Sequence, residues 1–389
     1  MKAPVVAVVG GGQLARMMAA PATALGLTLR VLVESDEASA AAAVHDASVG
    51  AAGDHDAVLA LADGADVLTF EHEHVPSALL AAVADRGVPV RPSADALLFA
   101  QDKLAMRRRL SALGVPCPQW APVPDAVALT AFLASHDGVG VVKTARGGYD
   151  GKGVRVVREA AEVADWLAAA SGPELLVEEA VPFTRELAVL VARRPSGEMR
   201  FWPVVESVQR DGVCAEVVAP APDLDPATAA QAVAVGRAVA EGLDVTGVLA
   251  VELFEVPEPE GPPRVLVNEL AMRPHNSGHW TIDGAVTSQF EQHLRAVADL
   301  PLGATDPRAP WSVMVNVLGT ALESLTDALP EVLADPEVKV HLYGKSIRPG
   351  RKLGHVTVCG DDLADARARA RTAAALLRGE PPASSPVTR

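Results

Sequence analysis

Cysteine is scarce in this chain of 389 residues, and other features are missing as well. The three cysteines, Cys117, Cys214 and Cys359, are far apart and lack metal-binding or redox spacing, so we expect inert thiols in a reducing cytosol. No stretch reaches the roughly 18 consecutive apolar residues of a membrane span. Positive charge is also in deficit: the formal net charge is −15, which disfavours nucleic-acid binding.

A signal peptide and an internal repeat are lacking too. Met1 to Pro4 run directly into a strand-like segment, so we expect a cytoplasmic protein that is not bound to a membrane. No nucleophile has a base near it in the sequence, so nothing favours acyl-enzyme chemistry. The length allows two or three domains. Residues 103–113 indicate a basic helix, and residues 116–124 and 302–310 are predicted to be linkers.

The N-terminal segment alternates strands and helices. The strand-like run at residues 5–9 is followed by the turn Gly10-Gly11-Gly12, a helical stretch and a second strand that ends at Glu34. A further strand, at residues 66–70, ends at Glu71, and a short strand is expected at 88–90. This alternation predicts a parallel sheet covered by helices, with ligands beyond the carboxyl ends of the strands. We therefore expect the glycine turn, Glu34 and Glu71 on one ligand-facing rim.

The glycine turn also permits a different function. Residues 10–15 match the pattern G-x-G-x-x-A, and Glu34 ends the next strand about 20 residues later, as in dinucleotide-binding proteins. An NAD(P)-dependent dehydrogenase is therefore an alternative. The pattern is weak by itself, because any tight strand-to-helix turn near an anionic ligand requires glycines and free amides.

Two carboxylates are predicted to face each other on a hairpin. Strand-like segments at 248–254 and from 264 onward flank a turn rich in proline and glycine at 257–263. If the turn is centred near residues 260 and 261, Glu252 lies opposite Glu269. Opposed carboxylates destabilise a sheet, so we expect a hard cation such as Mg²⁺ to compensate. The alternative is that both side chains point into solvent.

A glycine-rich loop at residues 144–153 follows a predicted strand that ends in Lys143. Its four glycines allow backbone amides to close over phosphates. The loop also carries Arg146, Asp150 and Lys152, but it lacks the Gly-Lys-Ser/Thr of a Walker A motif. We predict a phosphate-binding lid, with an ordinary flexible hairpin turn as the alternative.

Three other segments carry polar chemistry. Residues 268–280 combine a carboxylate, a guanidinium, two imidazoles and several amides, which indicates the wall of an active site. Residues 175–182 run from an apolar strand into carboxylates and could meet a purine edge, although a solvated strand end is equally plausible. Residues 341–352 carry a cluster of cations that fits a phosphate monoester, with a basic surface loop as the alternative.

These segments, in this order, resemble the ATP-grasp superfamily, and within it the 5-(carboxyamino)imidazole ribonucleotide synthases. The stretches that carry the resemblance span nearly the whole chain, and the runs at 275–279 and 348–355 are specific to this family. The matching stretches are Gly10 to Leu14, Gly147 to Gly153, Asn268 to Ala271, Arg273 to Trp280, Ser288 to Glu291, and Arg348 to His355.

The resemblance implies both the fold and the reaction. The implied fold is α/β: a Rossmann-like pre-ATP-grasp domain at 1–100, a two-lobed ATP-grasp domain at 101–301 with its lid lobe at about 120–186, a small α+β domain at 302–380, and a frayed tail at 381–389. The implied enzyme is a carbon–nitrogen ligase of de novo purine biosynthesis. It carboxylates 5-aminoimidazole ribonucleotide with ATP and bicarbonate through carboxyphosphate, releasing ADP and phosphate. Another ATP-grasp ligase, such as formate-dependent glycinamide ribonucleotide transformylase, is the alternative.

The resemblance also implies ligands and partners. They are ATP, bicarbonate, aminoimidazole ribonucleotide and Mg²⁺, with Mn²⁺ as a substitute. A homodimer is implied, as is a separate mutase that receives the product; neither nucleic acid nor membrane is a partner.

Site residues follow from the same resemblance. The implied catalytic residues are Arg273, His275 and Asp150. ATP would contact Lys103, Lys143, Gly148, Tyr149, Asp150, Gly151, Lys152, Gly153, Glu178, Glu179, Ala180, Val181, Glu186, Gln209, Asn268 and Glu269. The ribonucleotide would contact Gln13, Leu14, Glu71, Tyr149, Asn276, Lys345, Arg351 and Lys352. The metal would be held by Glu252, Glu269 and Asn268.

Two positions depart from the family pattern. Gln209 stands where a histidine often contacts the nucleotide, which puts one ATP contact in doubt. Met272 stands where a proline often precedes the arginine, and this should change only the rigidity of the loop.

Overall fold

The computed structural model describes residues 3–148, 153–169 and 174–381, which form three β-sheets with helices packed against them. The four glycine-loop residues Tyr149, Asp150, Gly151 and Lys152 lie outside the described residues, as does most of the predicted tail. Within the part of the chain that is described, no helix is long and apolar enough to cross a membrane.

The N-terminal sheet is parallel, as predicted, with the strand order β3-β2-β1-β4. Its strands are β1 (Val5–Val9), β2 (Thr28–Val33), β3 (Asp46–Val49) and β4 (Val67–Phe70). Its helices are α1 (Gln13–Ala24), α2 (His55–Ala62), α3 (Ser77–Asp85) and α4 (Ala94–Gln101), followed by α5 (Lys103–Ala112). All five residues of β1 are buried, as expected for a central strand covered on both faces.

A second sheet forms the lid lobe, with the order β5-β8-β6-β7. Its strands are β5 (Trp120–Pro122), β6 (Gly140–Thr144), β7 (Val154–Val157) and β8 (Leu175–Glu179). Helix α6 (Ala126–Ala134), a 3-10 turn at Ala160–Val163 and α7 (Ala164–Ala168) pack against it. The sequence suggested only a linker at 116–124, but β5 lies there because its backbone pairs with β8.

The largest sheet has nine strands and continues into the C-terminal part of the chain. The order along its main path is β14-β13-β9-β11-β12-β15-β17-β16, with β10 on β9. Its first strands are β9 (Arg185–Arg193), β10 (Met199–Phe201), β11 (Val205–Arg210), β12 (Val213–Ala219), β13 (Gly247–Val256) and β14 (Arg264–Ala271). The C-terminal strands are β15 (Trp311–Leu318), β16 (Lys339–Leu342) and β17 (Lys352–Gly360).

Helices cover this sheet and link it to the N-terminal one. They are α8 (Pro226–Gly242), α9 (Thr281–Gly284), α10 (Gln289–Val297), α11 (Leu329–Val332) and α12 (Leu363–Leu377), with 3-10 turns at Asn276–Gly278 and Leu325–Ala328. Aspartate or serine side chains cap the backbone amides of many helices, including Asp225 on α8 and Ser288 on α10. The main hydrophobic core joins α2, α3 and α4 to the buried faces of β9, β13 and β14.

Two expectations need correction. The strand expected at residues 88–90 is reduced to one isolated bridge between Leu68 and Val90. The C-terminal segment is expected to be a small separate unit. Instead, its strand β15 pairs directly with β12, with Val217 opposite Met314. The large sheet therefore contains strands from both sides of the predicted linker at 302–310. The domain boundaries themselves stay predictions.

Candidate active site

A β-bulge organises the carboxylates of the β13–β14 hairpin. Glu252 lies opposite Glu269, so the predicted register is confirmed. The next pair is Leu253 with Val267, which leaves Asn268 as an extra residue in β14. Adjacent residues of a regular strand point to opposite faces, but a bulge breaks this alternation. Asn268 and Glu269 therefore both line the same cleft as Glu252.

The paired carboxylates repel each other. Burial, followed by the charges of Glu269 and Glu186, raises the pKa of Glu252 to about 8. Lys103 compensates part of this charge, because its Nζ lies 2.6 Å from Glu269 Oε1. Glu252, Glu269 and Asn268 offer side-chain oxygen atoms, which suit a hard cation. Among the described residues, no group of three or more His, Cys, Asp or Glu side chains could hold a metal, so a cation here would also need phosphate or water oxygens.

A buried ring of polar contacts supports the bulge. The Arg107 guanidinium, fully buried, donates to Glu178 at 2.7 Å and to the carbonyl oxygens of Val267 and Asn268, both at 2.8 Å. Glu178 also pairs with Lys143 at 2.8 Å, and Lys143 donates to Asn268 Oδ1 at 3.2 Å. The ring thus fixes both the backbone of the bulge and the lysine predicted to meet ATP.

Glu178 is ionised in this ring. Burial alone would raise the pKa of Glu178, but the charges of Lys143 and Arg107 outweigh burial and lower it to about 2. Its carboxylate therefore pairs with two cations and is not available to ATP. The backbone of residues 178–181 and the side chain of Glu186 remain for the predicted adenosine contacts. Burial raises the pKa of Glu186, and a hydrogen bond with Gln209 opposes that shift.

The glycine turn that matched the dinucleotide pattern holds one of the protein's own carboxylates. Glu71 accepts hydrogen bonds from the backbone N–H of Gly12 and, at 3.2 Å, from that of Ala15. A Cβ at Gly12 would collide with the Glu71 carboxylate, and one at Gly11 would collide with Val33. The glycines are therefore explained by close packing, and the helix N-terminus is not free for a pyrophosphate.

The cationic C-terminal loop docks against the N-terminal sheet. Lys345 donates a hydrogen bond to Gln13 on α1, although 332 residues separate them. The hydroxyl of Ser39 donates to the carbonyl oxygen of Tyr343 at 2.5 Å. Arg351 donates to Ser346 O at 3.1 Å, and Lys352 begins β17. The contacts bring the predicted phosphate-binding cations to the rim that carries Glu71.

Arg273 and His275 lie between these two regions. Arg273 Nε is 2.9 Å from Glu73 Oε1. Burial, followed by the charges of Arg273 and Lys352, lowers the pKa of His275 to about 3, so its imidazole is neutral. His275 Nδ1 lies 2.9 Å from Ser277 Oγ, and Nε2 of the same ring lies 3.3 Å from Glu252 Oε1. His275 thus presents Nε2 to the carboxylate pair.

The described ends of the glycine-rich loop are tied to helix α5. The N–H of Lys103 donates to Ala145 O at 2.8 Å, and Arg146 pairs with Asp102 at 2.9 Å. Gly147 and Gly153 have positive φ, which favours glycine at both positions. The loop therefore leaves the sheet directly above Lys103, where a phosphate-binding lid is expected.

One cleft collects the predicted residues. Its volume is about 1680 Å³, more than the roughly 300–1,000 Å³ of sites for one small ligand, so two ligands fit together. Of the described predicted residues, only Gly153 is not on its lining. Those on the lining are Gln13, Leu14, Glu71, Lys103, Lys143, Gly148, Glu178, Glu179, Ala180, Val181, Glu186, Gln209, Glu252, Asn268, Glu269, Arg273, His275, Asn276, Lys345, Arg351 and Lys352.

Sequence reasoning missed several residues of this region. Arg107 lay within a helix recognised only as basic, and nothing local marked it as buried. Glu73, the partner of Arg273, follows β4 but was not singled out. Phe183 stacks on Phe254 with ring centroids 4.5 Å apart, and both rings line the cleft. Glu73 could have been predicted as a site residue, because it follows a parallel strand. Arg107 could not, because its partners are distant in the sequence.

Comparisons with known proteins agree with this geometry. Three family models match: a ribonucleotide synthetase preATP-grasp domain at residues 2–101, an ATP-grasp domain at 108–290, and a phosphoribosylaminoimidazole carboxylase C-terminal domain at 312–369. The N5-carboxyaminoimidazole ribonucleotide synthase of Mycobacterium tuberculosis is 53% identical over 380 residues, covering 96% of this chain and 87% of that protein.

Solved structures are similar over nearly the whole chain. The N5-carboxyaminoimidazole ribonucleotide synthetase of Thermus thermophilus is 39% identical, with a TM-score of 0.86, and the match covers 98% of this chain and 100% of that one. The Aspergillus clavatus N5-carboxyaminoimidazole synthase, solved with ADP and 5-aminoimidazole ribonucleotide, is 31% identical with a TM-score of 0.86 and coverage of 96% and 98%.

Proposed function

This chain belongs to the N5-carboxyaminoimidazole ribonucleotide synthase family, and we propose how its cleft performs the family's reaction. The enzyme is an ATP-grasp ligase of purine biosynthesis that carboxylates 5-aminoimidazole ribonucleotide at the expense of ATP. The observation that carries the assignment of roles is the opposed pair Glu252 and Glu269, which shares one cleft with two groups of cations.

ATP occupies the side of the cleft beneath the lid lobe. Lys103 and Lys143 contact its phosphates, and the glycine-rich loop closes over them. The backbone at residues 178–181 contacts the adenine, and Glu186 accepts hydrogen bonds from the ribose hydroxyls. Gln209 also contacts the nucleotide. This placement is supported by Lys103 and Lys143, whose ammonium groups both contact residues of the bulge.

The carboxylate pair holds Mg²⁺, with Mn²⁺ as a possible substitute. Glu252, Glu269 and Asn268 fit this ion because they supply only oxygen ligands and because Lys103 compensates only part of the charge of the two opposed carboxylates. When bound, the ion neutralises charge on the transferred phosphoryl group. Lys103 then exchanges its contact with Glu269 for one with a phosphate oxygen.

Aminoimidazole ribonucleotide occupies the opposite side. Lys345, Arg351 and Lys352 bind its 5′-phosphate, while Gln13, Leu14, Glu71 and Asn276 contact the rest of the molecule. Tyr149 and Asp150, outside the described residues, complete this set. The docking of Lys345 on Gln13 supports this arrangement, since it brings the cationic loop to the glycine turn.

Bicarbonate is activated between the two nucleotides. One of its oxygens attacks the γ-phosphorus of ATP, the bond from phosphorus to the ADP oxygen breaks, and carboxyphosphate forms. The amine nitrogen of the ribonucleotide then bonds to the carboxyl carbon, phosphate leaves, and the nitrogen loses a proton to it. Arg273 can hold carboxyphosphate through parallel hydrogen bonds, and His275 contacts it through Nε2. The closed lid excludes water, which would otherwise hydrolyse the intermediate.

The setting of the enzyme completes the proposal. We place it in the cytoplasm, because its three cysteines are free thiols. We also propose that it works as a homodimer and passes its product to a separate mutase, as the family resemblance implies.

Release of ADP tests the proposed function. The purified enzyme is supplied with MgATP and either aminoimidazole ribonucleotide or glycinamide ribonucleotide, in each case with bicarbonate, with formate or with neither. We expect rapid ADP release only with aminoimidazole ribonucleotide and bicarbonate together. Release that depends on glycinamide ribonucleotide and formate would replace this assignment by the transformylase alternative.

A further inference from the structure

Gln289, at the start of α10, forms a clamp on the backbone of His275. It is fully buried. Its Oε1 accepts from the N–H of His275 at 2.8 Å, and its Nε2 donates to the carbonyl oxygen of the same residue at 2.8 Å. The second Nε2 hydrogen points at Nδ1 of the buried His279, 2.9 Å away. One side chain thus satisfies both polar backbone groups of His275.

The clamped segment has no strand to hold it. Strand β14 ends at Ala271, and the following 3-10 turn covers only Asn276–Gly278. A Cβ at Gly278 would collide with Gln289 Oε1, so the turn packs directly on the clamp. The backbone position of His275 therefore depends on Gln289, although Gln289 is absent from the lining of the cleft.

We propose that Gln289 is a positioning residue for the bicarbonate step. It acts through His275, whose Nε2 faces Glu252, and through the neighbouring Arg273. This proposal rests on the proposed function, in which that segment handles bicarbonate and carboxyphosphate. Its consequence is selective: loss of the clamp disturbs the groups at the reacting carboxyl but leaves the sites for ATP phosphates and the ribonucleotide phosphate intact.

The same helix provides a matched control. Gln292 is also fully buried, and its amide pairs in the same way with Gly303, accepting from N–H and donating to the carbonyl oxygen, both at 2.8 Å. Gly303 lies outside the cleft lining. The two glutamines thus share burial, helix and bonding pattern, and differ in the segment that they hold.

The test compares Gln289→Met with Gln292→Met, since Met is close in shape to Gln but forms no such pair. Melting temperature and KM for bicarbonate, ATP and aminoimidazole ribonucleotide are measured for both. We expect both variants to lose thermal stability. Only Gln289→Met should lose about 10- to 100-fold in kcat/KM for bicarbonate, because a displaced reacting group is costly. Its KM for ATP should stay near that of the wild type.

Equal kinetic effects of the two variants, or unchanged bicarbonate kinetics in Gln289→Met, would overturn the positioning role. If Gln289→Met does not fold, Gln289→Glu replaces it, because a carboxylate keeps the shape and the acceptor but cannot donate to His275; the same selective loss is expected. The wild type separates the two proposals: if its ADP release does not depend on bicarbonate, the proposed function fails, whatever the variants do.

Discussion

At the scale of single residues, the main feature of the site is a pair of carboxylates whose charge is only partly balanced by the protein. Glu252 and Glu269 are opposed on the hairpin, and Lys103 forms an ion pair with Glu269. Glu252 instead faces the neutral imidazole of His275. A divalent ion would balance the charge of this pair, and the phosphates of ATP would supply further oxygen ligands to that ion.

Removing one metal ligand tests the carboxylate pair. Glu269→Gln keeps the shape of the side chain but removes a charge, so turnover should fall by orders of magnitude, and half-maximal activity should require more Mg²⁺. Glu258→Gln, on the turn of the same hairpin, is the control and should behave as the wild type. Near-normal activity of Glu269→Gln at ordinary Mg²⁺ would contradict the metal assignment.

The two phosphate sites are separable by a second substitution. Arg351→Ala removes a charge-assisted contact, costing about 1.5–3 kcal/mol. Binding of aminoimidazole ribonucleotide should weaken roughly 10- to 150-fold, since about 1.4 kcal/mol corresponds to a factor of ten. ATP affinity should change little. Arg378→Ala, which removes a surface cation paired with Glu380, serves as the control. A variant that loses ATP and keeps the ribonucleotide would show that the two sites have been interchanged.

At the scale of elements, the bulged hairpin depends on a helix and on a strand of another sheet. Arg107 on α5 connects Glu178 on β8 to the carbonyl oxygens of Val267 and Asn268 on β14. The lid lobe and the large sheet are thus joined beneath the predicted phosphate site. This junction explains how metal ligands on one sheet and Lys143 on another keep a fixed separation.

The junction predicts a pH dependence of stability. Glu178 has a pKa of about 2 in the folded protein, below the ordinary value of 4.5. Its stabilisation is therefore complete above pH 4.5 and is lost as the pH falls toward 2. Glu178→Gln should lower stability at neutral pH by about 3–5 kcal/mol, because Arg107 and Lys143 lose their partner. Its melting temperature should also fall less steeply below pH 4.5 than that of the wild type.

Urea unfolding and thermal scans across this pH range measure both effects. Glu258→Gln again serves as the control, since the Glu258 side chain is partly exposed and pairs on the surface with Arg264. A Glu178 variant whose stability follows the same pH curve as the wild type would show that this carboxylate does not hold the junction.

The hairpin shows what the sequence alone can predict. The register of Glu252 and Glu269 followed from one turn and two strand-like runs that are close in the chain. The bulge at Asn268 did not, because it depends on Arg107, which is 161 residues away. Strand β5 was missed for the same reason: its residues become a strand only through pairing with β8, more than 50 residues later. Local spacing carries no record of such partners.

At the scale of the whole molecule, the cationic C-terminal loop meets the N-terminal part of the chain at one cleft. The loop at 343–351 contacts α1 and Ser39, and the buried His293 of α10 bonds to Thr69 of β4 at 2.9 Å. The linker predicted at 302–310 therefore does not separate the C-terminal strands from the large sheet. Family motifs along the chain could suggest that these segments share a site. The contacts between the segments could be identified only from the three-dimensional structure.

The central claim is that ATP activates bicarbonate by phosphorylating it. Bicarbonate labelled with ¹⁸O is supplied with MgATP and aminoimidazole ribonucleotide, and the released phosphate is analysed by mass spectrometry. The account predicts that one labelled oxygen is transferred from bicarbonate to each phosphate, because carboxyphosphate breaks between its carboxyl carbon and the bridging oxygen. Phosphate that carries no label from bicarbonate would contradict it, since ATP would then have been cleaved without forming carboxyphosphate.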